Sequence, residues 1–422
     1  MGGGRKLYEG LRMAAIAHAR WEIQTSQNIL RSKKRLLILG LMILPIILVS
    51  IAFAADLPAI LGGKKAYCPA FYSLFIFLIS IIIGLIAGLI TGCIGAGGGF
   101  IITPALMSAG VKGILAVGTD LFHIFAKAIM GTAVHRKLGN VSLGLAVTFV
   151  IGSVIGVSIG GLINRALYAI SPVLSDAFIS AVYVFMLGFL GFYAMYDFLR
   201  LRKAGKEVTA HDGGAPKGVT TTTGIAMKLQ SINIPPRIAF DFDVVPGGRR
   251  ISAIFVAACG WVVGFVAAIM GVGGGFLTFP MFVYLLGVSS FTTVGTDILQ
   301  IIFTAGYASI SQYAVYGFIF YTLATGMLLG SLLGIQVGAL TTKVVKGMYI
   351  RGFYATAIIA GFLNRLLALP SKLRGLEVLM WPKSLVNFLN TAGIIIFFAI
   401  VGTFALWVLS KFLGNLKSLK EG

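Results

Sequence analysis

From Phe71 to Thr103 the chain carries no charged residue, and neither does Leu36 to Ala55. Runs of that length leave few structural options. About 20 consecutive apolar residues cross a bilayer core as helix, because helix satisfies every backbone polar group within the segment. The rest of the composition agrees. Hydrophobic residues make up 58% of the chain and charged ones 11%, where a soluble domain carries about 25% charge. The fold class read from this is all-α, a polytopic protein of the cell membrane.

The formal net charge is +21, which raises the question of nucleic acid. Its placement excludes that partner. Lys and Arg gather in Arg5–Arg35, in Arg200–Arg250 and at Lys411, Lys417 and Lys420, all beside hydrophobic runs. The positive-inside rule and attraction to anionic lipid account for such clusters. They place the N-terminus and the C-terminus in the cytoplasm. An anionic substrate is compatible with the charge without being required by it. Cys68, Cys93 and Cys259 have neither disulfide nor metal-ligand spacing, and no cofactor or metal is expected. Ala52-Phe53-Ala54 imitates a cleavage site, but the long basic segment before Leu36 favours a retained signal-anchor helix.

Boundaries follow from hydropathy. Residues 1–34 read as a cytoplasmic basic amphipathic segment and 35–55 as a first span. A first transmembrane repeat covers 71–200, a cytoplasmic linker 201–250, a second repeat 251–369 and a last span 386–410. The repeat is visible in three motifs. Gly95-Ala-Gly-Gly-Gly-Phe100 with Pro104 returns as Gly271-Val-Gly-Gly-Gly-Phe276 with Pro280. Val117-Gly-Thr-Asp120 returns as Val294-Gly-Thr-Asp297, and Gly152-Ser153 with Gly156 and Gly160 returns as Gly330-Ser331 with Gly334 and Gly338. The offset grows by single residues from motif to motif, as loop insertions would produce. Five segments per half put the basic positions (Arg136 and Lys137, then Lys343, Lys346 and Arg351) on the cytoplasmic side. An odd count in one chain makes the two repeats inverted, a plan common among secondary transporters.

Chemistry is expected at two features. Three successive glycines weaken helix by roughly 1 kcal/mol each relative to Ala, so each Gly-rich run is read as a break. A helix restarting at Phe100 or Phe276 would aim its positive end and its free amides into that break, which suits an anion. Close packing through small residues is the plainer alternative. The second feature is a stripe: Asp120, His123 and Lys127 share a helix face, matched by Asp297, Gln300 and Thr304. Lys127 reads as charge compensation for an anion or as half of an ion pair. Asp120 and Asp297 read as proton carriers or as helix caps, and His123 as a relay or a bonded core residue. Cys93 reads as a packed thiol. Asn164-Arg165 and Asn364-Arg365 read as interfacial positions whose long side chains reach for water.

Paired G-x-G-G-G-F-x-x-x-P motifs, each followed by V-G-T-D, resemble the TauE/SafE family of sulfite and organosulfonate exporters, over about residues 71–410. The resemblance implies a permease for a small sulfur-containing oxyanion such as sulfite, sulfoacetate or thiosulfate. Carried over, it points to Gly95, Gly97, Gly98, Gly99, Pro104, Gly118, Thr119 and Asp120, and to Gly271, Gly273, Gly274, Gly275, Pro280, Gly295, Thr296 and Asp297. Phe100, His123, Lys127, Phe276, Gln300 and Thr304 complete the expected substrate site, with the bilayer and coupling protons as further partners. The basic N-terminus, the extra first span, the linker and Lys127 depart from the family pattern. A passive anion channel and an intramembrane aspartyl protease built on Asp120 and Asp297 are the competing readings. No G-x-x-x-x-G-K-[S/T] occurs, so ATP hydrolysis by this chain is not expected.

Overall fold

A computed structural model describes residues 59–63, 74–94, 98–137, 142–203, 224–241, 248–342, 344–345 and 347–415. The expected first span and amphipathic N-terminus lie outside them. Residues 57–409 form one compact unit. The helices of the first half are α1 (Leu74–Ile94), α2 (Gly99–Ser108), α3 (Gly113–Lys137), α4 (Leu143–Ile170) and α5 (Pro172–Lys203). The linker adds α6 (Gly224–Ser231), β1 (Arg237–Phe240) and β2 (Arg249–Ser252). The second half holds α7 (Ala253–Met270), α8 (Gly275–Pro280, running on as wider π-helical turns to Leu286), α9 (Ser290–Tyr307, likewise to Ala314), α10 (Tyr321–Thr341) and α11 (Gly347–Gly375); α12 (Lys383–Gly414) follows.

Seven of these described helices are long and apolar enough to cross a membrane: α1, α4, α5, α7, α10, α11 and α12. Their outer faces are what a bilayer requires. On α4, Leu143, Val147, Ile151 and Ile155 recur every four residues and are more than half exposed, while Gly152, Ser153 and Gly156 are buried. A stripe like that has no stable place in water. Helices α3 and α9, which carry the polar stripes, are not among the seven. They sit inside the bundle. The 10 residues of α2 reach about 15 Å, half of a ~30 Å bilayer core, so α2 is a half-helix.

The two halves pack reciprocally. The first helix of one half lies against the fourth helix of the other, giving the pairs α1/α10 and α4/α7; third meets third (α3/α9) and fifth meets fifth (α5/α11). Glycine rows make both cross pairs possible. Gly152, Gly156 and Gly160 face Ala257, Trp261 and Phe265 in the same direction, and Gly330, Gly334 and Gly338 face Ile81, Leu85 and Leu89. A side chain there would collide with the neighbour's main chain. Small residues at such seams let backbones approach closely, as membrane helices need in the absence of a hydrophobic drive. Cys93 belongs to the same seam, its thiol donating to Gly338 O at 3.4 Å.

The linker folds in part. β1 and β2 pair antiparallel with Arg237 opposite Ser252, and the module grips the loop between α8 and α9. Asp241, almost fully buried, accepts from Ser289 N at 2.8 Å and Ser289 Oγ at 2.7 Å. Gln230 Nε2 donates to Leu286 O and Arg249 Nη1 to Gly287 O, both at 2.7 Å. Ser289 in turn caps α9 by accepting from Thr292 N. The matching loop of the first half is held differently: Asp176 of α5 accepts from Gly113 N at 2.7 Å and pairs with Lys372 Nζ at 2.9 Å. Asp241→Ala strands two donors of Ser289, and losing a bond to a charged acceptor costs about 1.5–3 kcal/mol. A clear drop in melting temperature in detergent is expected, with exposed Lys228→Ala as the silent control. An unchanged melt of Asp241→Ala would show that the module does not brace α9.

Candidate functional site

The V-G-T-D motifs lie inside helices rather than at their starts. Asp120 is in the second turn of α3 and Asp297 in the second turn of α9. This removes the reading in which each carboxylate caps its helix; Ser289 does that for α9. The preceding threonines have a different task. Thr119 Oγ1 accepts from Phe320 N at 2.9 Å, just ahead of α10, and Thr296 Oγ1 accepts from Ser142 N at 3.0 Å, just ahead of α4. Each stripe helix thus holds the entry of a helix from the other half.

The stripes themselves form two polar ladders. In the first, Thr103 Oγ1 of α2 donates to Asp120 Oδ2 at 3.0 Å, and His123 Nε2 lies 3.0 Å from Ser331 Oγ of α10. In the second, Gln300 Nε2 donates to Asp297 Oδ1 at 2.8 Å and to Thr278 Oγ1 of α8 at 3.2 Å. Thr304 Oγ1 donates to Gln300 Oε1 and meets Ser153 Oγ of α4, each at 2.8 Å. Each ladder runs from a half-helix through a stripe to a serine in the opposite half's glycine row. Thr103, Thr278, Ser153 and Ser331 were absent from the sequence-based site. For the serines a signal existed, since a polar residue beside the first glycine of a packing row recurs in both halves.

The ladders differ in one respect. The second is bonded throughout, whereas the first contains buried atoms with no hydrogen-bond partner among the described residues: Asp120 Oδ1, His123 Nδ1 and Lys127 Nζ. Asp120 Oδ1 and His123 Nδ1 stand 3.6 Å apart. Ser331 donates to Leu328 O, so His123 meets Ser331 by donating from Nε2. With Nε2 as the donor, Nδ1 is an acceptor, and a proton on Asp120 Oδ1 would bond the two atoms. Unbonded polar groups at membrane depth are costly and mark functional positions.

The glycine break of the second half abuts this group. Gly271, Gly273 and Gly274 have positive φ (79°, 65° and 88°), backbone that residues with a side chain rarely adopt. A methyl on Gly271 would come within 2.8 Å of Thr103 Oγ1, and one on Gly273 within 2.7 Å of Ile124 Cγ2. The two half-helices begin side by side: a methyl on Gly99 would lie 3.0 Å from Val272 Cα, and the Phe100 and Phe276 rings are 6.3 Å apart. Gly95 and Gly97 lie outside the described residues; Gly98 N donates to Thr91 Oγ1. The break, both helix starts, Thr103 and the Asp120 stripe therefore share one neighbourhood. Tyr183 of α5 closes it, donating to Met270 O at 2.5 Å.

Two positions differ from the interfacial reading. Asn164 is buried, donating to the Tyr313 hydroxyl and accepting from Ser175 Oγ. Asn364 and Arg365 are buried as well. Their long polar side chains were expected to reach outward to water at the membrane surface, but inward-facing partners decide the burial. Arg165 is half-buried, bonded to Gln312 and over the Tyr316 ring at 4.2 Å.

The family model of the sulfite exporters TauE/SafE matches residues 79–365. The chain belongs to this family. A curated TauE/SafE-like relative, the probable membrane transporter protein YjnA of Bacillus subtilis (strain 168), is 24% identical over 250 residues, covering 58% of this chain and 82% of the relative. No solved structure matches. With its long apolar helices the chain is a multi-pass membrane transporter, and the half-helices and stripes above lie within the matched TauE/SafE region.

Proposed function

We propose that this protein is a secondary transporter of a small sulfur-containing oxyanion, such as sulfite or an organosulfonate, working by alternating access between two inverted halves. One observation carries the proposal: two half-helices start side by side against Ile124 of α3, the helix whose stripe holds Lys127 Nζ, a buried ammonium with no hydrogen-bond partner among the described residues. First-turn amides have no acceptor within their own helix, and the helix dipole adds partial positive charge there. An oxyanion offers several acceptors and a countercharge to such a group. The reciprocal pairing of helices supports a two-fold relation between halves of opposite orientation. The basic linker and tail support cytoplasmic termini.

Asp120 Oδ1 and His123 Nδ1, 3.6 Å apart and otherwise without hydrogen-bond partners among the described residues, suit a shared coupling proton. Asp297 already accepts from Gln300 at its Oδ1, so coupling is assigned to the first half. Reconstituted uptake of labelled sulfite, with and without a pH gradient, tests both statements. Gradient-stimulated uptake is expected for the wild type. Asp120→Asn should still transport but lose the stimulation; a stimulated Asp120→Asn would move coupling elsewhere. Liposomes that take up no sulfur oxyanion would overturn the substrate class, and a steady ionic current without saturation would indicate a channel.

A further inference from the structure

Arg365 of α11 is 2% exposed and takes no part in the site above. Its Nη2 donates to Pro104 O at 3.3 Å, Ser108 Oγ at 2.9 Å and Asn364 Oδ1 at 2.6 Å, and its Nε to the same Asn364 oxygen at 2.8 Å. All of these acceptors are neutral. Among the described residues Nη1 has no hydrogen-bond partner and the guanidinium no ion pair. Asp176 acts on Arg365 electrostatically, but both its oxygens are engaged, one by Gly113 N and the other by Lys372. A buried cation without a counter-ion is retained where something else compensates it.

Half-helix α2 explains what the charge is for. Its start faces the break, where an anion is favoured, and its far end, whose Ala105, Leu106 and Met107 carbonyls accept from Ala109, Val111 and Gly110 N, carries the partial negative charge of a helix C-terminus. An oxyanion leaving the break along α2 would be repelled there. Arg365 stands at that end, on Pro104 O and Ser108 Oγ. Ser108 and Asn364 fix the plane of the guanidinium through Nε and Nη2, leaving the Nη1 edge open to a further acceptor. Ser180 Oγ of α5, on the same helix face as Asp176 and Tyr183, is also buried with no hydrogen-bond partner among the described residues. The half-helix α8 has no equivalent arginine from the first half, since the matching positions 187–189 of α5 are Leu187, Gly188 and Phe189.

We infer that Arg365 is a second binding position for the transported oxyanion, at the far end of α2 from the glycine break. The inference rests on the anion-transport reading. It makes the permeation route pass between α2, α5 and α11 on one side, with no matching cation on the other.

The test uses the full chain in proteoliposomes with labelled sulfite as probe. Arg365→Gln is expected to raise KM for sulfite about tenfold, as loss of a charged hydrogen-bond partner does, with a smaller change in maximal rate. Arg365→Lys should restore most of the affinity. A purely structural role predicts a lower melting temperature and maximal rate at unchanged KM, and that outcome overturns the inference. Should Arg365→Gln fail to fold, the wild type supplies a second measurement. Phenylglyoxal, a neutral arginine reagent, is expected to modify Arg365 in the absence of sulfite and to be blocked by it, as read by peptide mass. Modification indifferent to sulfite, or no modification at all, overturns the assignment. Wild-type protein that transports no sulfur oxyanion sinks the substrate reading instead, so the two failures are distinguishable.

Discussion

Lys127→Ala is expected to lower the apparent affinity for sulfite by about tenfold to a hundredfold, the worth of one charged hydrogen bond in a buried site. The fold should survive the change. Thr304, the matching residue of the second half, shows that the same helix position accepts a short neutral side chain, there bonded to Ser153. Removing the Lys127 charge also removes the cost of burying it. Initial rates against sulfite concentration decide the point, with a single size-exclusion peak as the control for folding. Lys127→Arg should keep more affinity than Lys127→Ala, because charge rather than shape is what an oxyanion needs from this position. A wild-type KM in Lys127→Ala would take the ammonium out of the binding site and leave the half-helix amides to hold the anion alone.

Much of the helical plan was legible in the sequence because membrane spans depend on length and charge, which are local properties. The uncharged run from Phe71 to Thr103 holds α1 and the start of α2. The repeat was legible for the same reason: glycine rows and a recurring Val-Gly-Thr-Asp are local strings. What the strings could not carry was partnership across the halves. Thr119 looks like a ligand-binding residue from its motif, yet its oxygen holds Phe320 N, some two hundred positions later in the chain. Arg365 looks interfacial from its neighbours Asn364 and Leu366, yet it reaches α2 through Pro104 and Ser108. Long side chains are ambiguous in this way, since the same residue can reach outward to water or inward to a buried carbonyl.

The linker was the least legible part. Arg200–Arg250 is basic and rich in Gly, Thr and Pro, which marks an extramembrane linker without showing whether it folds. Its described part is held together by contacts with the membrane domain: Phe240 is fully buried, Ile238 sits against Gly144 of α4, and Asp241 grips Ser289. Two four-residue strands alone are too little to be stable. The module folds because the ends of α4, α8 and α9 supply its other surface.

Gly156→Leu should be the most disruptive single change in the chain, and it separates the roles of the two kinds of glycine. A β-carbon at Gly156 falls onto the carbonyl oxygen of Trp261 and within 2.7 Å of Phe265 N. Main chain cannot swing aside as a flexible side chain can, so α4 and α7 would have to separate. Overpacking costs about 1–3 kcal/mol even where side chains give way, and here it also breaks the neighbouring contacts of Gly152 and Gly160. The expected result is little or no monodisperse protein after extraction. Ile155→Ala, one residue along on the outward face and more than half exposed, should extract and transport like the wild type. Gly271→Ala is the informative contrast. Its methyl comes within 2.8 Å of Thr103 Oγ1 and of the Val117 main chain, a clash at the break itself rather than along a row of packed glycines, and its left-handed backbone makes any side chain costly. It should therefore yield folded protein with impaired sulfite uptake. Normal extraction and normal transport by Gly156→Leu would mean that the halves are not joined through these rows, and the reciprocal packing on which the inverted-halves reading depends would fall with them.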